Sequence, residues 1–91
     1  IPRIAWARDD GLPETAAQRG PAALRIGAAT VAPPPGAFLQ PSPAGEAAIR
    51  DAVLAGLPTR RAARAVVAEL YAGIGTITFA LAEHVRVAAF E

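Results

Sequence analysis

Gly73, Gly75 and Glu91 are the residues of this chain whose types and spacing point to chemistry. A Gly-x-Gly turn that ends an apolar run leaves bare backbone where a Cβ would obstruct a ligand. The first free amides of a helix beginning just after it favour a carboxylate or a phosphate. An acidic residue about twenty positions further on, at the end of a second strand, can accept hydrogen bonds from both hydroxyls of a ribose. Together they describe an anion-facing turn beside a ribose clamp, which is the ligand pattern of an adenosine cofactor. Gln40 is a further candidate. It stands in an apolar, proline-braced loop, Ala37-Phe38-Leu39-Gln40-Pro41-Ser42-Pro43. A rigid loop presenting one amide suits ligand recognition, and it equally suits capping of local backbone groups.

These residues need elements to hold them. Ala65 to Tyr71 is continuously apolar at its start and reads as a strand buried on both faces of a parallel sheet. Thr76 to Ala82 carries helical spacing, Glu83-His84 ends it, and Val85 to Phe90 reads as the next strand, with Glu91 at its edge. Strand, turn, helix and strand make one right-handed βαβ unit. Upstream, Ser42 is placed to cap a helix, Pro43 suits its first position, and Glu46 lies in its first turn. An apolar stripe from Ala47 to Leu54 continues that helix, and Gly56 and Pro58 stop it.

The first part of the chain carries less information. Alternation around Ile4 and Trp6 predicts a short strand, and Asp9-Asp10-Gly11 a turn of solvated carboxylates. Residues 11–23 read as a loop with one helical turn around Glu14–Gln18. Leu24-Arg25-Ile26-Gly27 with Thr30-Val31 reads as one further strand weakened by Gly27. The expected organisation is therefore a β-rich segment with the Phe-x-Gln loop over residues 1–40, and the start of an α/β domain over 41–91.

Composition narrows the function classes. The 91 residues carry a net charge of +1, so no strong electrostatic footprint for nucleic acid is present. Arg60, Arg61 and Arg64 form a short basic linker, read as solvated. All nine basic residues are Arg, and Cys is absent, so no disulfide, no Cys-ligated metal site and no thiol nucleophile belongs to this chain. No metal-ligand cluster is expected. No apolar stretch is long enough for a bilayer and no signal peptide pattern opens the chain, which predicts a cytoplasmic protein without membrane contact. The chain begins on Ile1, without a start Met, and closes on Glu91 at an expected strand end. It therefore reads as a piece of a longer protein, whose exposed apolar sheet surface invites self-association.

A dinucleotide fingerprint wants a third glycine three residues after the second, where this chain has Thr78. S-adenosylmethionine presents an amino-acid carboxylate in place of a pyrophosphate and needs no third glycine. That favours a methyltransferase over a nicotinamide dehydrogenase. The combined pattern is more specific. Pro35-Gly36-Ala37-Phe38-Leu39-Gln40-Pro41, a helix containing Glu46, Glu69-Leu70-Tyr71-Ala72-Gly73-Ile74-Gly75-Thr76 and Phe90-Glu91 resemble the uracil-5 RNA methyltransferase family. The resemblance covers residues 33–91. The family usually has Asp where Glu69 stands, and often Asn where Thr76 stands.

The resemblance implies an incomplete Rossmann-like S-adenosylmethionine methyltransferase fold. It implies a cofactor site made by Gln40, Tyr71, Thr76 and Glu91, with Gly73 and Gly75 shaping the loop, and a transfer or ribosomal RNA substrate. In the family a Cys thiolate adds to carbon 6 of uracil, carbon 5 attacks the methyl sulfonium, and a base removes the carbon-5 proton. The nucleophile and base lie beyond the acidic strand end, so this stretch supplies no catalytic residue and is expected to be inactive alone. A methyltransferase of the same fold with another substrate, and a non-catalytic interaction module, are the remaining alternatives.

Overall fold

The computed structural model describes residues 1–60 and 63–91. Two compact units divide the chain, Ile1–Phe38 and Leu39–Glu91.

The first unit is built from two antiparallel hairpins. β1 (Arg3–Trp6) pairs with β2 (Glu14–Gln18), and β3 (Leu24–Ile26) with β4 (Ala29–Val31). The expected helical turn at Glu14–Gln18 is a strand instead. Helix propensity over five residues is a weak preference, and pairing with β1 overrides it. Trp6 lies opposite Glu14 and Arg3 opposite Gln18, with a bulge between Ile4 and Ala5. The single strand expected from Leu24 to Val31 is a hairpin. Gly27 does not weaken a strand there; Gly27 and Ala28 form a two-residue loop, the commonest way to reverse an antiparallel pair. The Arg3 guanidinium donates to the Pro33 carbonyl at 2.7 Å and ties the first hairpin to the proline connector. Trp6 is half exposed and the Arg8 guanidinium sits over its ring, so it is not the packed core residue its size suggests.

The second unit begins with α1 (Pro43–Ala55). The Ser42 hydroxyl accepts from the Gly45 amide at 3.1 Å, Pro43 takes the first helical position, and Glu46 lies in the first turn, as its sequence predicts. After it come β5 (Val66–Leu70), α2 (Thr76–Ala82) and β6 (Arg86–Phe90). β5 and β6 are parallel and in register from Val66 opposite Arg86 to Leu70 opposite Phe90. α2 therefore makes the crossover that parallel strands require. It packs on β6 and against α1. Leu81 of α2, only 2% exposed, is the buried apolar centre among the described residues.

β5 is not buried on both faces. Exposed and half-buried residues alternate along it, and Val66 and Leu70 are 52% and 67% exposed. The apolar run supplies two faces, but among the described residues only one face has a helix to cover it. Of the linker arginines, Arg61 lies outside the described residues; Arg60 and Arg64 are exposed. No helix among the described residues is long and apolar enough to cross a membrane.

Candidate functional site

The turn from Tyr71 to Gly75 leaves the C-terminal end of β5 and enters α2. Its backbone is fixed from three directions. The Ala72 amide donates to the Phe90 carbonyl at 3.0 Å, extending the strand pairing one step past β5. The Gly75 amide donates to the Ala72 carbonyl at 2.9 Å and closes the bend. The Gly73 amide donates to the Glu91 carboxylate, Gly73 N to Glu91 Oε2, at 2.5 Å. That last bond joins two candidates that lie eighteen residues apart, and it joins them because β5 and β6 run parallel and end side by side. The second oxygen of Glu91 accepts no bond among the described residues, and the side chain is exposed.

The two glycines do different work. Gly73, at φ +57°, has open space where a Cβ would stand. Gly75, at φ +89°, is buried, and a Cβ there would come within 2.7 Å of the Phe79 ring. The room expected for a ligand at both positions exists at Gly73. At Gly75 the helix's own aromatic side chain fills it, so this glycine serves the packing of α2 on the turn. Gly75 also forms the N-cap of α2 without any side-chain cap, so no side chain of the cap accepts from the first helical amides.

Tyr71 lies just past β5, 90% exposed and at φ +58°. For a bulky side chain this left-handed conformation is an outlier that needs a reason. Thr76 is the first residue of α2 and half-buried. Tyr71, Gly73, Gly75, Thr76 and Glu91 are thus gathered on one turn and the strand end beside it. Gln40 is not tied to them by any hydrogen bond. It precedes α1, is half-buried, and its amide makes no side-chain hydrogen bond among the described residues, so the expected alternative of local capping has no bond to support it.

One pair escaped the sequence reading. The Thr78 hydroxyl donates to Glu69 Oε2 at 2.6 Å, a part-buried bond from the first turn of α2 to the end of β5. The signal was present: an acidic residue near the end of an apolar strand must find a donor when it is half-buried. Two open depressions lie away from the turn. One is at the strand starts, lined by Ala65, His84, Val85 and Arg86 among others, and one in the first unit is lined by Trp6, Arg8 and Leu12. Neither includes a turn residue. No group of His, Cys, Asp or Glu among the described residues could hold a metal ion.

No protein-family model and no solved structure matches the chain. Among curated proteins, an uncharacterized RNA methyltransferase of Caulobacter vibrioides is 47% identical over 68 residues. The chain is similar to part of an RNA methyltransferase. The matched stretch is 75% of this chain and 15% of that relative's length.

Proposed function

We propose that this chain is part of the cofactor-binding region of an S-adenosylmethionine-dependent RNA methyltransferase that forms 5-methyluridine in transfer or ribosomal RNA, on an incomplete Rossmann-like fold. The observation that carries the reading is the meeting of the Glu91 carboxylate with the Gly73 amide at the ends of two parallel strands. Ligands of open α/β sheets bind outside the carboxyl ends of the strands, and this turn lies there. The similarity to the Caulobacter protein supports the reaction class.

The residues present fit an adenosyl group. Glu91 keeps one oxygen on Gly73 and has a second for ribose hydroxyls. The space beside Gly73 is open, and the exposed Tyr71 ring offers an apolar face. Thr76 and the amides at the start of α2 would meet the amino-acid end, and the Gln40 amide would close the site from its loop. When bound, S-adenosylmethionine supplies an electrophilic methyl group on a sulfonium. This chain binds and orients. It has no Cys, so the thiolate that adds to carbon 6 of uracil, and the base that removes the carbon-5 proton, belong to other parts of the protein.

The test uses the full-length protein and a calorimetric titration of S-adenosylmethionine. Glu91→Ala is expected to weaken binding by roughly tenfold or more, the scale of hydrogen bonds to a charged group. Unchanged affinity rejects the assigned role. Release of tritium from RNA labelled at uracil carbon 5 tests the product, because only replacement of that hydrogen releases the label.

A further inference from the structure

We infer that Thr78 and Glu69 are positioning residues: the bond between them holds the first turn of α2 against the end of β5 and so sets the shape of the glycine turn. The inference deepens the adenosyl-site reading, and only its binding measurement rests on that reading.

The argument begins with what α2 lacks. It has seven residues, two turns, and a helix that short is marginal without tertiary support. Its N-cap is Gly75, which contributes no side-chain hydrogen bond. α1 differs: the Ser42 hydroxyl caps it. Something other than a cap must fix how α2 leaves the turn. Two contacts do so. The Phe79 ring lies against the α-carbon of Gly75, which fixes separation. The Thr78 hydroxyl donates to Glu69 Oε2 at 2.6 Å, which fixes direction. An O–H to carboxylate bond of that length is of the strong, charge-assisted kind.

The bond spans the turn. Glu69 is four residues before Gly73, and Thr78 is three residues after Gly75. Shortening or lengthening this tie moves both ends of the turn relative to each other, and with them the Gly73 amide that meets Glu91. It also gives Thr78 a positive role. A glycine at that position would let helix and strand pack more closely but would leave the half-buried Glu69 carboxylate without its donor. The chain keeps the hydroxyl.

The experiment uses the full-length protein. Thr78→Val removes the hydroxyl at similar shape. Backbone amide exchange over Gly73–Thr76 is expected to accelerate about tenfold while the strands keep their protection, and Thr78→Ser is expected to restore it. Affinity for S-adenosylmethionine is expected to fall about tenfold in parallel. Glu69→Gln, which retains an acceptor for Thr78, is expected to lose less, and it serves if the valine variant does not fold. Exchange at the turn unchanged in Thr78→Val overturns the inference, and so does equal acceleration in every element, the mark of a bond that only adds general stability. If the unaltered protein binds no S-adenosylmethionine but its turn still loosens in Thr78→Val, the adenosyl reading falls and the positioning role stands.

Discussion

Among the described residues, two turns hold a residue other than glycine in the left-handed region, Asp9 at φ +48° and Tyr71 at φ +58°. The first closes on itself. The Gly11 amide donates to the Arg8 carbonyl at 2.7 Å, and among the described residues no backbone bond from the turn reaches a distant strand. Asp visits this region readily, because its short polar side chain can bond locally. The second turn reaches outward. Ala72 bonds to Phe90 and Gly73 to Glu91, so its shape depends on a strand that arrives much later in the chain. Tyr pays no such local dividend, and strain of this kind is of order 1–3 kcal/mol. The ring is 90% exposed, so packing within the chain does not offset it. Strain at Asp9 marks a turn. Strain at Tyr71 is held by long-range bonds at an exposed residue, and the proposed adenosyl site gives it a purpose that the turn at Asp9 lacks.

The comparison breaks first at the glycines. Gly75→Ala is expected to destabilise the protein by about 2–4 kcal/mol, adding a left-handed penalty to a clash with Phe79. Gly73→Ala meets open space and is expected to cost only the backbone penalty, about 1–2 kcal/mol. Thermal unfolding of the two variants in the full-length protein orders them. Equal losses would mean that Phe79 does not occupy the space at Gly75, and the division between a packing glycine and one beside open space would go with it.

The sequence was legible where the signal was local and chemical. Ser42, Pro43 and Glu46 announced α1, and the bounds of α2 follow from the glycine turn before it and Glu83-His84 after it. The parallel pairing that brings Glu91 to Gly73 followed from strand, turn, helix, strand. It failed where a partner decides the outcome. In Glu14–Gln18 only Thr15 favours a strand by itself; pairing with β1 makes the segment one. The two-sided burial expected of β5 needs layers that the described residues do not supply on one face. The role of Thr78 was only half legible: Glu69 near the end of an apolar strand calls for a donor, but the pattern marks Thr78 only as the missing third glycine. Nor does any spacing rule announce that Gly75 is kept for Phe79.

A smaller effect sharpens the contrast at Tyr71. Tyr71→Gly relieves the left-handed strain but raises the freedom of the unfolded chain, and the net is expected to be a stabilisation of about 0.5 kcal/mol. Affinity for S-adenosylmethionine is expected to fall about tenfold with the loss of the ring. Opposite signs in stability and binding, read by thermal unfolding and calorimetry on one preparation, are what a strained ligand-facing residue predicts. A stability loss without a binding change would make Tyr71 a structural residue whose partner is protein.

The smallest effect belongs to the other turn and serves as its control. Asp9→Gly removes a side chain that is already at ease in the left-handed region, and it leaves the Gly11 to Arg8 bond in place. The gain in backbone comfort and the greater freedom of the unfolded chain oppose each other at similar size, so the stability change is expected to stay within about 0.5 kcal/mol, with no change in ligand affinity. Differential scanning calorimetry and the same titration read both. If Asp9→Gly alters affinity as Tyr71→Gly does, backbone strain has no value as a mark of function in this molecule, and the site must rest on the Gly73–Glu91 bond alone.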